Sequence, residues 1–425
     1  MLQNPKLKEL SFIVYGLGLS GRSVINFFKK RNIKNFQVWD DKNKRIFKKY
    51  RVKNLKKSLS QVDYIILSPG ISLIKNKQLR KFKKKIITDI DLFYLIYDKF
   101  KSIVVTGTNG KSTTCKLLAH LFKKNKLRYA LGGNIGNPIL NLTSPYNGHV
   151  IIEASSFQLE HSKFICPDYA LFLNLTNDHL DWHGSAANYM KSKLKIFSHQ
   201  KKKHFAIINK KFKKIFRKKN FLSKLIIPSF NDYEKIKNQI KNDYLISSIN
   251  DENMNFVYTI SRLLKIRKKH FIDSMQTFKG LPHRFEIFLS KGDTTFINDS
   301  KATSFSASKY ALSSLKNIYW IVGGLPKKGD KLNFKPFKKN IIKSYIIGKH
   351  INFFKKQIKG RLPFSITKNL EKSIIQILKD SKLKKNDKKF VLLSPSAASF
   401  DQFNNFERRG LEFKKLSKKY ARKLL

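Results

Sequence analysis

Residues 107–114 have the side chains and the spacing of a phosphate-binding loop. They read Gly-Thr-Asn-Gly-Lys-Ser-Thr-Thr, and they stand between an apolar, β-branched run and a leucine-rich helical pattern. Backbone N–H groups of such a turn bind phosphate oxygens, and the N-terminus of the following helix favours an anion. Lys111 adds a positive charge, and the hydroxyl of Ser112 can reach Mg²⁺. The segment therefore predicts a site for a nucleoside triphosphate.

The loop departs from the general P-loop pattern at one position. That pattern has a glycine five residues before the glycine of the Gly-Lys pair, where this chain has Val105. Gly-Lys-Ser also occurs in ordinary turns. The strand-like run before it and the helical pattern after it favour a strand–loop–helix phosphate site.

Two further candidate residues follow strand-like segments. Glu153 closes an apolar run, where a carboxylate could bind Mg²⁺ or cap a helix. His179 lies in a segment with Asp178, Asp181 and His183, which fits a metal or substrate contact as well as a solvated loop. The residues alone leave both pairs of alternatives open.

Three candidates lie in the last third of the chain. Asp299 follows a strand-like run, and Arg284 follows a Gly-Leu-Pro boundary near residue 280. An arginine from a separate domain can neutralise charge on a transferring phosphoryl group, although one arginine means little in so basic a chain. Residues 394–403 are rich in serine after a strand and precede a helix, so they form either a carboxylate-binding loop or an ordinary Ser-Pro turn.

Alternating strand and helix patterns must position these residues. Near the amino terminus, a Gly-x-Gly-x-x-Gly turn at residues 16–21 follows a short apolar run, and Asp40 closes the next one. This layout is typical of a nucleotide-binding unit. The Ser-Pro-Gly turn ending at Gly70 is expected to face the same crevice, with a plain Pro-Gly turn as the alternative. The whole pattern predicts an α/β protein with mostly parallel sheets.

Composition limits the class of protein. The net charge is +60, from 88 Lys and Arg against 28 Asp and Glu. The lysines are spread over the whole chain and accompany no nucleic-acid motif, so we interpret them as solvated surface residues and expect no specific nucleic-acid partner. A nucleic-acid-binding ATPase is the alternative from another class. Two cysteines indicate a reducing compartment, and no apolar run approaches the ~18 residues of a membrane span.

The motifs taken together resemble the Mur ligase family over nearly the whole chain. The shortened phosphate loop is the family's own variant, and the other matching motifs follow in the family's order: residues 133–136, 153–159, 177–181, 283–286 and 298–303. Residues 394–410 resemble the branch that adds D-glutamate, and the Asp-Asn-Pro-Arg signature of the diaminopimelate- and lysine-adding branches is absent. Another ligase of the superfamily, such as folylpolyglutamate synthase, is the alternative among enzymes.

The resemblance implies three domains: a Rossmann-like UDP-substrate domain at 1–97, a central ATP-binding domain at 98–281 and a Rossmann-like amino-acid domain at 282–425. It implies an ATP-dependent ligase of peptidoglycan precursor synthesis that acts through an acyl phosphate. The implied substrates are UDP-N-acetylmuramoyl-L-alanine and D-glutamate, with ATP and two Mg²⁺ sites. The protein is expected to be cytoplasmic and monomeric.

The resemblance also assigns roles to individual residues. Lys111, His179 and Lys193 are catalytic, with Lys193 carbamylated by CO₂. The metal ligands are Ser112, Glu153, His179 and Lys193. The ATP contacts are Gly107, Thr108, Asn109, Gly110, Lys111, Ser112, Thr113, Asn255, Arg284 and Asp299. The substrate contacts are Leu19, Ser20, Asp40, Gly70, Asn134, Thr303, Lys327, Ser399 and Phe406.

Two departures from the family pattern stand out. The His-Asn-x-x-Asn stretch that touches adenine is degraded at residues 251–255, where Asn255 is the residue that aligns. Lys327 is followed by Lys328, and either lysine can take the role of binding the D-glutamate side-chain carboxylate.

Overall fold

The computed structural model describes residues 6–43, 47–97, 100–142, 148–176, 178–246, 248–327, 329–334, 336–382 and 388–424. These residues form three sheets with helices packed on them, which confirms the predicted α/β class. By compactness the chain divides into two units, Met1–Phe278 and Lys279–Leu425. The predicted division into three domains stays a prediction, and residue 98, the first of the predicted central domain, lies outside the described residues.

The first sheet is parallel throughout, with the strand order β2-β1-β3-β4. Its strands are β1 Phe12–Tyr15, β2 Phe36–Trp39, β3 Tyr64–Leu67 and β4 Ile86–Ile87. Its helices are α1 Lys6–Glu9, α2 Leu19–Lys30, α3 Leu55–Gln61, α4 Lys77–Arg80 and α5 Asp89–Ile96. The central strand β1 is buried at every position because helices cover both faces of a parallel sheet.

The glycine-rich turn after β1 is needed for close packing. A Cβ at Gly21, in the first turns of α2, would lie 1.9 Å from the carbonyl oxygen of Gly16. The helix can therefore approach the end of β1 only with glycine at this position. The Ser68 hydroxyl at the end of β3 donates to that same Gly16 oxygen at 2.8 Å, which joins the two predicted crevice loops.

The second sheet is also parallel, with the order β10-β9-β8-β5-β7-β6. Its strands are β5 Lys101–Thr106, β6 Tyr129–Gly133, β7 His149–Glu153, β8 Tyr169–Phe172, β9 Phe205–Ile208 and β10 Lys224–Ile226. The helices of this part are α6 Lys111–Lys124, α7 Ser156–His161, α8 Leu180–His183, α9 Ala186–Leu194, α10 Lys213–Lys218, α11 Phe230–Lys237, α12 Asp243–Ile246, α13 Ser248–Leu263 and α14 Lys268–Gln276. One hydrophobic core is shared by the first and second sheets.

A buried carboxylate ties α5 to the segment after α7. Asp91 accepts hydrogen bonds from the Thr88 backbone and hydroxyl, which forms a capping box at the start of α5. It also accepts from the Ser162 hydroxyl and from the backbone N–H groups of Lys163 at 2.9 Å and Phe164 at 2.8 Å. The two sheets of the first unit are thereby joined by polar contacts as well as by the shared core.

The third sheet lies in the second unit and has the order β11-β12-β16-β13-β14-β15. Among the strand pairs described for this sheet, only β11–β12 is antiparallel. The strands are β11 Glu286–Lys291, β12 Thr294–Asn298, β13 Ile318–Gly323, β14 Ile341–Ile347, β15 Phe364–Lys368 and β16 Lys389–Leu393, and the helices are α15 Phe305–Ser314, α16 Ile351–Ile358, α17 Leu370–Lys382 and α18 Phe406–Leu424. Separate apolar clusters cover its two faces.

In the described residues, none of the helices combines the length and the apolar character that a membrane span requires.

Candidate active site

The phosphate loop stands between β5 and α6, as the sequence predicts. Gly110 has a φ of +81°, and a Cβ there would lie 2.2 Å from Oδ1 of Asn253 on α13. Both observations require glycine at this position. Ser112 and Thr113 are buried in the first turn of α6, whereas Asn109 is exposed.

A network of amide and carboxylate groups holds the loop from behind. Oδ1 of Asn174, just after β8, accepts from the backbone N–H groups of Thr108 at 3.1 Å and Asn109 at 2.9 Å. The amide group of Asn174 donates to Glu252 at 2.6 Å, and Asn209 donates to the other oxygen of Glu252 at 2.9 Å. The loop conformation is therefore fixed by residues from three other segments of the same unit.

Two lysines donate to one carbonyl oxygen of the loop. The ammonium group of Lys111 donates to the Gly107 oxygen at 2.9 Å and to the Thr108 oxygen at 2.8 Å. Nζ of Lys193, on α9, donates to the same Gly107 oxygen at 2.7 Å. Lys193 is 1% exposed, and its burial together with the charge of Lys111 lowers its pKa well below the usual range, against the attraction of Asp178 and Glu153.

Tyr189 connects the loop to the segment of His179. The Tyr189 hydroxyl lies 3.2 Å from the Thr108 hydroxyl, and its ring lies 4.7 Å from Nζ of Lys193. The His179 ring lies 6.3 Å from the Tyr189 ring and 4.7 Å from the Phe157 ring. His179 precedes α8 with a φ of +53°, and its Nε2 lies 3.4 Å from Asp178. Asn177, which belongs to the same sequence motif, lies outside the described residues.

Glu153 presents an oxygen that can bind a cation. It is buried at the end of β7, where its Oε1 accepts from the Asn134 amide at 3.0 Å. Its Oε2 is buried and has no hydrogen-bond partner in the described part of the chain. An unpartnered buried carboxylate oxygen is costly unless a cation or a water satisfies it.

These residues fit Mg²⁺ together with a phosphorylated ligand. Over the described ranges, no group of three or more His, Cys, Asp or Glu side chains is arranged to hold a metal ion. Mg²⁺ is usually held by only one or two carboxylates, with substrate phosphates and water completing its shell. Glu153, with Ser112 in the first turn of α6, matches that donor set.

The predicted substrate contacts of the first sheet lie at the carboxyl ends of its strands. Leu19 exposes 80% of its surface at the start of α2, next to Ser20, and Gly70 is exposed after β3. Asp40 is buried and accepts from the N–H groups of Leu17, Lys42 and Asn43 at 2.7–2.8 Å. Burial opposes ionisation of Asp40, but these hydrogen bonds outweigh it and lower its pKa. Asp40 therefore shapes the glycine turn itself.

In the second unit, Asp299 follows β12 and is held by two donors. The Ser394 hydroxyl donates to one carboxylate oxygen at 2.8 Å, and the Phe285 N–H donates to the other at 3.1 Å. Burial away from water raises the pKa of Asp299 to about 7, although these two hydrogen bonds and the charge of Arg284 act to lower it. Arg284 lies between His283 and Glu286, which are both anchored by Asn298, so the motif at 283–286 fixes its backbone.

The predicted D-glutamate contacts lie on loops that the structure joins. Leu325 and Ala398 form an isolated antiparallel bridge, which brings the segment of Lys327 beside the segment of Ser399. Asp330 accepts from the Phe305 N–H and donates its own N–H to the Lys327 carbonyl, which links in the segment after Thr303. The Lys301 ammonium group lies 4.4 Å from the Phe406 ring at the start of α18. Lys328, the alternative to Lys327, lies outside the described residues.

Arg409 holds three of these segments together. It is 1% exposed, and its Nε donates to the Ser300 hydroxyl at 3.0 Å. Its Nη2 donates to the carbonyl oxygens of Ser300 at 2.8 Å and Ala397 at 3.0 Å. The Ser300 hydroxyl in turn donates to the Phe406 carbonyl at 2.8 Å. Burial lowers the pKa of Arg409 to about 10, so it remains a cation at neutral pH.

Sequence reasoning missed several residues of this site. Asn174, Asn253 and Arg409 have no predicted role, although the first two contact the phosphate loop. Asn255, the predicted adenine contact, has a buried Oδ1 with no hydrogen-bond partner among the described residues, and its role stays a prediction. The signal for Asn174 was present, because it is the second residue past β8, a buried strand parallel to β5.

Comparison with known families gives the class of protein. Residues 105–262 match the model of the Mur ligase middle domain, and residues 10–90 match that of the Mur ligase MurD-like N-terminal domain. A protein of Rickettsia prowazekii is 36% identical over 97% of this chain and 99% of its own length. One of Buchnera aphidicola is 37% identical over 96% of this chain and 97% of its own. The chain belongs to the Mur ligase family.

The particular members that it matches share one name. The proteins from Rickettsia prowazekii and Buchnera aphidicola are both named UDP-N-acetylmuramoylalanine–D-glutamate ligase, as is a relative from Rickettsia felis that is 34% identical over 97% of both chains. The chain therefore resembles the D-glutamate-adding branch in sequence along nearly its full length.

Solved structures support the fold. MurF ligase from Thermotoga maritima, in complex with ADP, aligns with 99% of this chain and 98% of its own with a TM-score of 0.58 at 17% identity. MurC from Thermotoga maritima aligns with 96% of this chain and all of its own with a TM-score of 0.52 at 15% identity. At these identities the likeness concerns the fold alone.

We predict that Arg409→Met destabilises the second unit by about 3 kcal/mol, because it leaves two buried carbonyl oxygens and the Ser300 hydroxyl without their donor. Arg408→Met is the matched control, since Arg408 is the exposed neighbour on the same helix. Urea unfolding of both variants measures the difference. Equal stability of the two variants would show that the Arg409 contacts do not hold this region.

Proposed function

We propose that the protein is an ATP-dependent ligase that joins D-glutamate to UDP-N-acetylmuramoyl-L-alanine. The observation that carries the proposal is the combination of a phosphate loop with a lysine from α9 on the same loop carbonyl, in a chain at least 34% identical to three ligases of that name. A site for phosphoryl transfer to a carboxylate needs cations around the γ-phosphate and a way to keep water out.

The proposed reaction has two steps. A carboxylate oxygen of the L-alanine residue attacks the γ-phosphorus of ATP, the bond to the bridging oxygen breaks, and ADP leaves. The amine of D-glutamate then attacks the acyl carbon, and after loss of a proton the C–O bond to the phosphoryl group breaks and phosphate leaves. Phosphorylation is needed because a carboxylate carries no adequate leaving group.

Lys111 serves the first step in this proposal. Two carbonyl oxygens hold its ammonium group over the loop. From there it can stabilise the negative charge of the γ-phosphoryl group while that group is transferred. Mg²⁺, when bound, would neutralise phosphate charge. Ser112 and the free oxygen of Glu153 would hold it, and His179 is proposed to hold a second ion.

Lys193 is proposed to carry a carbamate. Its burial lowers its pKa, so a neutral amine is accessible for attack on CO₂, with formation of an N–C bond and loss of a proton. The product is an anion in place of a cation beside Lys111. That exchange would remove the repulsion between the two lysines and supply a carboxylate-like group for metal binding.

The remaining residue assignments are carried over from the family and stay proposals. Gly107, Thr108, Asn109, Gly110, Thr113, Asn255, Arg284 and Asp299 would contact ATP. Leu19, Ser20, Asp40, Gly70 and Asn134 would contact the UDP-linked substrate, and Thr303, Lys327, Ser399 and Phe406 would contact D-glutamate. We further propose that the enzyme acts as a monomer in the cytoplasm, where its nucleotide substrates are available.

Lys111→Ala is expected to lower D-glutamate-dependent phosphate release by at least about 100-fold, because it removes a charge that stabilises the transferring phosphoryl group. Lys116→Ala, on the exposed face of α6, is the matched control and is expected to keep wild-type activity. A phosphate-release assay with UDP-N-acetylmuramoyl-L-alanine, ATP and D-glutamate measures both. Full turnover by Lys111→Ala would refute the assignment of the ATP site.

Lys193→Ala is expected to lose most activity and to regain part of it in formate or acetate, because a small carboxylate can occupy the place of the carbamate. The exposed Lys202→Ala is the control, and neither acid should stimulate it. The same assay across a titration of each acid gives the result. Wild-type activity of Lys193→Ala without added acid would rule out the carbamate.

A further inference from the structure

A cavity of about 220 Å³ lies in the first unit, and none of the residues assigned above line it. One wall is the segment 72–74 after β3 together with Lys83. The other wall consists of α7, α8 and α9. Sites for drug-sized ligands run to about 300–1,000 Å³, so this volume suits a smaller molecule.

Two buried nitrogen atoms of this cavity have no hydrogen-bond partner among the described residues: Nε1 of Trp182 and Nε2 of His161. The indole nitrogen can only donate. His161 is 93% buried, from its exposed fraction of 7%, and a neutral imidazole can present an N–H at Nε2. Burial lowers the pKa of His161 and outweighs the attraction of Glu160, so the ring is neutral at neutral pH. The cavity thus offers donors that need an acceptor.

The charges around the cavity favour an anion. Lys83, Lys191 and Lys195 line it, against the single carboxylate of Glu160. That carboxylate is already engaged, because it accepts from the Ser192 hydroxyl and lies 3.4 Å from Nδ1 of His183. The Lys195 ammonium group donates to the Glu160 carbonyl, so its charge is held at the cavity wall. The positive charge is in excess.

The cavity and the phosphate loop use different faces of α9. Asn188, Lys191 and Ser192 line the cavity, at the spacing of one helix face. Tyr189 and Lys193 lie on another face, where they contact Thr108 and Gly107 of the loop. A ligand in the cavity would therefore be separate from a nucleotide in the loop but would share a helix with it.

We propose that this cavity is a binding site for a small free oxyanion of the phosphate class. A tetrahedral anion has enough acceptor oxygens for the indole, the imidazole and the lysine donors at once. The proposed ligand is free phosphate. The nucleotide substrates also carry phosphate groups, but each whole molecule is larger than the cavity.

Isothermal titration of inorganic phosphate into the full-length Lys111→Ala protein tests the proposal, since that background weakens phosphate binding at the loop. Trp182→Phe/Lys191→Gln removes one indole donor and one exposed charge while it keeps the ring packing. We expect it to weaken phosphate binding at least tenfold. Trp39→Phe/Lys202→Gln makes the same two changes elsewhere and is expected to bind phosphate like its parent.

Lys83→Gln/Lys191→Gln alters only exposed lysines, so it provides the same test if the tryptophan change lowers the melting temperature. It too should weaken phosphate binding. Three results would overturn the proposal: no phosphate binding by the Lys111→Ala protein, equal affinity in the cavity variants and the control, or displacement of phosphate by UDP-N-acetylmuramoyl-L-alanine. The last result would place the anion in a substrate site.

Discussion

The candidate active site depends on one carbonyl oxygen that accepts from two lysines. The Gly107 oxygen accepts hydrogen bonds from Nζ of Lys111 at 2.9 Å and from Nζ of Lys193 at 2.7 Å. Lys193 is almost fully buried. Two ammonium groups this close repel each other, and burial removes the water that would screen them. The arrangement is stable if Lys193 is neutral. Burial and the charge of Lys111 accordingly lower the pKa of Lys193.

The rest of the first unit keeps this geometry in place. Asn174 binds the backbone N–H groups of Thr108 and Asn109 and is itself held by Glu252, which also accepts from Asn209, so three distant segments fix the loop. Tyr189 places α9 against the loop through its contact with Thr108. Because contacts within the protein hold the loop, its N–H groups and cations need little reorganisation during phosphoryl transfer.

Local sequence patterns predicted much of the fold. The β5–loop–α6 unit could be read directly, because an apolar strand, two glycines and a helical pattern are consecutive in the chain. The parallel sheets followed from the alternation of such units. Glu153 was found because it closes a strand, and Asp299 because it directly follows one.

Contacts between distant segments could not be read in the same way. Asn253 approaches Gly110 across more than 140 residues, and Arg409 reaches Ser300 across 109. Nothing in the neighbouring residues marks either as special, and a lone buried arginine is hard to detect where 88 residues are lysine or arginine. Asp40 shows the opposite case, in which a residue singled out as a ligand contact also has a clear role in shaping its own turn.

We propose that the loop of Gly107 and Lys111 delivers a phosphoryl group to a substrate carboxylate and not to water. The decisive experiment uses UDP-N-acetylmuramoyl-L-alanine whose alanine carboxylate carries ¹⁸O, with mass spectrometry of the phosphate released as D-glutamate is added. Transfer through an acyl phosphate predicts that each released phosphate carries a single ¹⁸O atom from that carboxylate. Ligation that releases phosphate without ¹⁸O would rule out phosphoryl transfer to that carboxylate.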